Sequence, residues 1–100
     1  MNLDHIFEEI AAERKRQHEK WGEQNMPMLV GDINNRALEM ALANCKARQE
    51  IVVSWFDILQ EEVFEAFLET EPKKQRIEMI QVAAVAVQII EYLNRRIHDD

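Results

Sequence analysis

The sequence predicts an all-α fold, a four-helix-type bundle formed by one domain over residues 1–100. Apolar residues make up 47% of the chain and only two glycines and two prolines interrupt it, which favours long helices joined by few turns. Four stretches carry apolar side chains at helical spacing. The β-branched run from Ile51 to Val53 predicts no sheet, because it is short and no partner strand is predicted elsewhere.

The first half of the chain predicts two helices. Apolar residues recur at helical spacing over residues 3–20, and Asn2 or Asp4 can serve as the N-cap. A loop that holds both glycines follows, because glycine and proline break the periodic pattern there. The second helix is amphipathic and is predicted over residues 33–49, after Asp32 as its N-cap.

The second half of the chain predicts two further helices. Ser54 and Asp57 form a capping-box pattern that opens a helix over residues 55–70. The last helix, residues 74–96, is apolar on nearly every side between Met79 and Ile90. That run is too short for the roughly 20 residues that cross a bilayer, so it predicts a helix inside the bundle or across an oligomer interface.

Charge and cysteine usage exclude several classes of function. The net charge of −7 disfavours nucleic acid and anionic membrane as partners, because both select a concentrated basic surface. Cys45 is the only cysteine, so no disulfide can form within the chain and a reducing compartment is expected. The acidic N-terminus lacks the basic then apolar pattern of a signal peptide. We therefore expect a cytoplasmic protein.

Acidic side chains lie in an unusual place on the third predicted helix. Glu62 falls inside its apolar arc, Glu65 lies at the edge of the arc and Glu61 just outside it. On the fourth helix, Glu78 and Gln81 are three residues apart and project on one side. If the two helices are antiparallel neighbours, these oxygen donors face one another and suit Mg²⁺ or Mn²⁺. Alternatively, they belong to a solvated acidic face, as most Glu-x-x-Glu pairs do.

The segment Glu61-Glu62-Val63-Phe64-Glu65, followed after twelve residues by Glu78-Met79-Ile80-Gln81, resembles the EExxE…ExxD signature of the MazG-like all-α nucleoside triphosphate pyrophosphatases. The basic stretch from Arg14 to Gly22 is similar to that of short phage and mobile-element members. The resemblance implies a MazG-like bundle completed by dimerisation. It also implies metal ligation by Glu62, Glu65, Glu78 and Gln81, with Glu61 and Glu62 as catalytic residues. Gln81 stands where the family usually has aspartate.

The resemblance further implies Mg²⁺-dependent hydrolysis of a nucleoside triphosphate to a monophosphate and pyrophosphate, as in the removal of noncanonical nucleotides. It implies a homodimer or homotetramer that contacts substrate through Lys20, Trp21, Lys74 and Arg76, although each of these also fits a solvated surface position. Two alternatives stay open. One is a non-catalytic helical protein that binds nucleotide with a partial metal site, and the other is an oligomerisation module.

Overall fold

Four helices account for most of the described chain. The computed structural model describes the backbone of residues 3–30 and 32–99 and the side chains of residues 3–30 and 35–98. The helices are α1 (Leu3–Trp21), α2 (Asp32–Gln49), α3 (Trp55–Leu68) and α4 (Pro72–Asp99). No strand occurs in the described backbone, which confirms the all-α prediction. The predicted cap Asn2 and the side chain of Asp32 lie outside the described residues.

Helix α3 lies at the centre of the arrangement. It packs against α2 on one side and α4 on the other, whereas α1 lies beside α4 and buries only Ile6. The Cα radius of gyration is 16.0 Å, compared with about 13 Å for a compact domain of this size. The extents of 43 × 41 × 22 Å describe a flat molecule. A flat arrangement of helices leaves apolar side chains uncovered on its faces.

Local signals fix where the helices begin and end. Gly22 closes α1 at φ 66°, a left-handed conformation that favours glycine, and its amide donates to the His18 carbonyl. The Ser54 hydroxyl accepts from the Asp57 amide and caps α3, as the sequence predicts. The Glu71 carboxylate accepts from the amides of the first turn of α4, next to Pro72.

An ion pair between a buried carboxylate and a half-exposed guanidinium joins α2 to α3. Asp57 is 5% exposed, and Arg48 donates through Nε to its Oδ1 at 2.8 Å. The Cys45 thiol is fully buried beside it and donates to the Asp57 carbonyl. The hydrogen bond from Arg48 holds the pKa of Asp57 below its ordinary value of 3.8. The stability from this pair is therefore present above pH 3.8 and is lost as the pH falls through the lowered pKa.

Helix α4 differs from its predicted environment. It begins at Pro72, earlier than predicted, because proline suits the first position of a helix. Within the single chain Val85 and Val87 are buried, but Ile77 and Ile80 are more than half exposed. The position of α4 at one side of α3, with α1 covering little of it, explains the difference. Of the two predicted environments, the centre of the bundle is wrong for the isolated chain.

The segment Pro72–His98 is long and apolar enough to cross a membrane by length and composition, and little of it is buried. Its uncharged part, Met79 to Ile90, is by itself too short to cross a bilayer, as the sequence predicts. The longer segment extends beyond this uncharged part at both ends and adds charged residues there, seven in all. A helix that buries its apolar face in a subunit interface can have the same length and composition as a membrane-spanning helix, so these properties alone do not distinguish the two.

Candidate metal centre

Three glutamates from two helices meet at the boundary between α3 and α4. Glu62 and Glu65 are three residues apart on α3, so their side chains lie on neighbouring positions of one face. Helix α4 returns along α3 after the connector 69–71 and brings Glu78 beside them. A hydrogen bond of 3.0 Å from Gln75 Nε2 to the Ala66 carbonyl holds the two helices near this point.

The carboxylate oxygens of these three residues are close enough to share one cation. One oxygen from each of Glu62, Glu65 and Glu78 lies within 4.8 Å of the other two, and all three residues are half-buried. Oxygens around Mg²⁺ lie about 2.0–2.1 Å from the ion, so small side-chain rotations would bring the three into its coordination sphere. A donor set made of oxygens alone fits Mg²⁺ or Mn²⁺ better than zinc.

Gln81 adjoins two of these carboxylates, those of Glu62 and Glu78, from the next turn of α4. When its amide nitrogen faces the cluster, Nε2 lies 3.2 Å from Glu62 Oε2 and 3.2 Å from Glu78 Oε2, and it can donate to both. When the amide oxygen faces the cluster instead, it meets only acceptors and gains nothing unless a cation lies between. A rotation of the amide by 180° therefore lets Gln81 serve the cluster either as a donor or as a ligand.

The cluster raises the pKa values of two of its members. Burial raises the pKa of Glu62, and the negative charges of Glu78 and Glu61 raise it further. Burial also raises the pKa of Glu65, with added repulsion from Glu61 and Glu62 and partial relief from Lys46. The charged forms of both carboxyl groups are therefore disfavoured in the folded protein. Binding of either a proton or a cation would compensate for this cost.

We expect the stability of the metal-free protein to rise as the pH falls from neutral toward the ordinary glutamate value of 4.5. The folded chain binds protons at Glu62 and Glu65 more tightly than the unfolded chain, so acidification favours the folded state in this range. Mg²⁺ should stabilise most at neutral pH and progressively less in acid, because protons compete for the same oxygens. Denaturant unfolding across this pH range, with EDTA or with Mg²⁺, measures both trends.

A double variant provides the control for this pH dependence. Replacing Glu62 and Glu65 together by glutamine removes both titrating groups, so the gain in acid and the effect of Mg²⁺ should disappear. A metal-free wild type whose stability stayed flat between neutral pH and 4.5 would contradict the expected trend.

Glu61 adjoins the three-oxygen group and is half-buried, and its charge acts on both Glu62 and Glu65. It lies outside the set of oxygens that share the 4.8 Å limit. Glu61 would therefore lie next to a cation held by the other carboxylates without being one of its three carboxylate ligands. Its catalytic role stays a prediction.

The predicted substrate residues occupy separate places. Lys74 precedes Glu78 by four residues on α4, so the two share a helix face, but Arg76 precedes it by two and points elsewhere. Lys20 and Trp21 line a groove at the end of α1, where the Lys20 ammonium lies 4.9 Å from the Trp21 ring centroid. None of the acidic cluster lines that groove. Their substrate contacts stay predictions.

The sequence alone did not identify two cationic residues of α2 that contact α3, of which Lys46 reaches the cluster. Lys46 of α2 places its ammonium 4.0 Å from Glu65 Oε1, and Arg48 binds the buried Asp57. Both contacts depend on how α2 lies against α3. The spacing within a single helix carries no signal for them, since Lys46 and Glu65 are 19 positions apart.

Comparison of the chain with protein-family models, with curated proteins and with solved structures finds no match. The proposed activity consequently rests on the geometry of the acidic cluster and on the resemblance of its two motifs.

Proposed function

We propose that this protein is a Mg²⁺-dependent nucleoside triphosphate pyrophosphohydrolase. One observation supports the proposal most directly: Glu62, Glu65 and Glu78 come together from two helices, with Gln81 beside them. These are the four positions at which the resemblance to a family of nucleotide pyrophosphatases implies metal ligands, with Gln81 in the place of the usual aspartate. A half-buried group of three carboxylates with raised pKa values for two members also favours a cation over a purely solvated face.

The proposed reaction cleaves the bond between the α and β phosphates by attack of water and releases a monophosphate and pyrophosphate. A bound divalent cation supplies charge neutralisation at phosphate oxygens and a water of lowered pKa. Glu62, Glu65 and Glu78 would hold the cation, and Gln81 would offer its amide oxygen as a further ligand. Glu61, next to these ligands and outside their oxygen group, orients the water and accepts its proton.

A panel of nucleoside triphosphates tests the proposal. Purified protein with Mg²⁺ should release pyrophosphate and the corresponding monophosphate from at least one noncanonical or common nucleotide. Both products should be absent when EDTA replaces Mg²⁺. Release of orthophosphate alone would contradict cleavage between the α and β phosphates, and no product from any nucleotide would reject the enzyme assignment.

A second candidate is a non-catalytic helical protein that binds nucleotide through a partial metal site. The observation that favours it is Gln81, whose neutral amide can bridge Glu62 and Glu78 as a donor and so stabilise the cluster without metal. This candidate predicts Mg²⁺-dependent nucleotide affinity with no hydrolysis, which the same panel would show by equilibrium binding.

We further propose that the protein is a cytoplasmic homodimer or homotetramer assembled through the apolar face of α1 and α4. This face is a groove between the two helices, and several of its large side chains are 40–56% exposed. Those side chains are Leu3, Phe7, Ile10 and Ile80. Small residues, Ala83 and Ala84, lie between them and permit close approach of a second helix pair. Covering such a face in a second copy would offset the loose packing of the flat chain.

We expect Phe7→Glu to separate the subunits, because it places a charge at the centre of this groove. The mass in solution, measured by light scattering after size exclusion, should fall from a multiple of the chain to that of one chain. Met40→Glu is the matched control, since Met40 is exposed on α2 away from the groove and its change should leave the mass unaltered.

Two outcomes would overturn this assembly. A wild type that is monomeric in solution would show that no second copy of the chain covers the groove. Recovery of the wild type only from membranes, with detergent, would show that lipid covers α4 instead.

A further inference from the structure

Lys46 reaches the acidic cluster from the helix that supplies none of its carboxylates. Among the described side chains, it alone places a cationic group within 4.0 Å of Glu62, Glu65 or Glu78. Its ammonium faces Glu65 Oε1 from α2, whereas the cluster itself is built by α3 and α4. The acids of the cluster thus belong to α3 and α4, and the basic residue next to them belongs to α2.

The backbone of α2 near Lys46 is anchored to α3, whereas the Lys46 side chain is more than half exposed. Cys45 and Arg48, on either side of Lys46, are anchored to Asp57 on α3, so the backbone at Lys46 has a fixed position. The Lys46 side chain is 55% exposed, and a separation of 4.0 Å is longer than a charge-assisted hydrogen bond. A flexible four-carbon stem on a fixed backbone can redirect its ammonium without disturbing the helix.

The acidic cluster has a charge that would oppose binding of a triphosphate. Glu61, Glu62, Glu65 and Glu78 carry four negative charges when ionised, so one bound divalent cation leaves the site with an excess of two negative charges. A triphosphate is itself a polyanion, and a site of the same sign would repel it. The described cation nearest to this site is Lys46.

We propose that Lys46 is a phosphate-binding residue that pairs with Glu65 in the empty protein and transfers to a phosphate oxygen of the nucleotide once a cation occupies Glu65. The proposal rests on the proposed function, since it requires a metal and a triphosphate at the acidic cluster. The bound cation repels the ammonium from Glu65, and the incoming phosphate attracts it. No covalent bond changes in this transfer.

The variant Lys46→Gln tests the proposal because two affinities should change in opposite directions. Removal of a positive charge next to the metal should tighten binding of Mg²⁺ alone, on the order of threefold to tenfold. Loss of the phosphate contact should weaken binding of a Mg²⁺ complex of an α,β-methylene nucleoside triphosphate by roughly tenfold or more. With a hydrolysable nucleotide, KM should rise much more than kcat falls. Titration calorimetry measures both affinities.

Two further variants separate this role from a structural one. Lys46→Arg keeps the charge and should retain nucleotide affinity within a few fold. Arg36→Gln removes one positive charge from the same helix, ten residues or about 15 Å away, and should change neither affinity.

Three results would overturn the proposal. If Lys46→Gln weakens both affinities together, Lys46 supports the fold of the site and does not bind phosphate. If it changes neither affinity, Lys46 takes no part in binding. If the wild type binds no Mg²⁺ at all, the proposed function fails and the role of Lys46 fails with it, whereas the first two results overturn only the role of Lys46 and leave the proposed function standing.

Discussion

Glu62→Gln and Glu65→Gln should each reduce nucleotide hydrolysis by at least about 100-fold, since each replaces a proposed metal ligand by a neutral amide, and even partners in the outer shell of a metal are worth 10–100-fold. Glutamine keeps the size and the helix propensity of glutamate, so α3 should persist. Removing one of the crowded charges should even stabilise the metal-free fold, because burial and like charges raise the pKa values of both residues. Pyrophosphate release and circular dichroism measure the two effects.

Glu9→Gln is the control for these ligand variants. It makes the same chemical change at an exposed position of α1, and its activity should match the wild type. Full activity in Glu62→Gln or Glu65→Gln would remove that residue from the metal site. A loss of activity together with a loss of helix content would assign the residue to the fold.

Gln81→Asp should tighten Mg²⁺ binding by about tenfold, because a further negative charge then faces the cation at close range. The wild-type amide can donate to Glu62 and Glu78 at 3.2 Å when its nitrogen faces them, and aspartate cannot do so. The metal-free variant should therefore be less stable than the wild type, while saturating Mg²⁺ should reverse the order. Thermal unfolding with EDTA and with Mg²⁺ distinguishes these two states.

Asn94→Asp provides the matched control for this charge. It adds the same negative charge to α4 thirteen residues away, about 20 Å along the helix, where screening should abolish any effect on the metal. Equal Mg²⁺ affinity in Gln81→Asp and the wild type would contradict the view that the neutral amide limits metal binding.

The helices and the membership of the acidic cluster were open to prediction from local patterns. Ser54 and Asp57 fixed the start of α3, and the spacing of Glu62 and Glu65 placed both on one face. Bringing Glu78 to that face required only that α3 and α4 pack as neighbours across a short connector. The geometry then confirmed that these three carboxylates lie together.

Contacts that depend on the register between separate helices were not open to prediction. Arg48 pairs with the buried Asp57 across α2 and α3, but the sequence alone does not indicate that these two residues meet. Lys46 likewise meets Glu65 only because α2 lies where it does. The apolar composition of α4 predicted burial, yet composition does not specify whether the same chain or a second one provides the cover.

The connection between α3 and α4 sets a limit on how this chain can vary in length. The Glu71 carboxylate and the bond from Gln75 to Ala66 fix the start of α4 relative to α3. One residue inserted between Gln75 and Glu78 would turn the rest of α4 by about 100° and carry Glu78 and Gln81 away from the other ligands together. Substitutions are thus tolerable along this short spacer, but insertions and deletions are not.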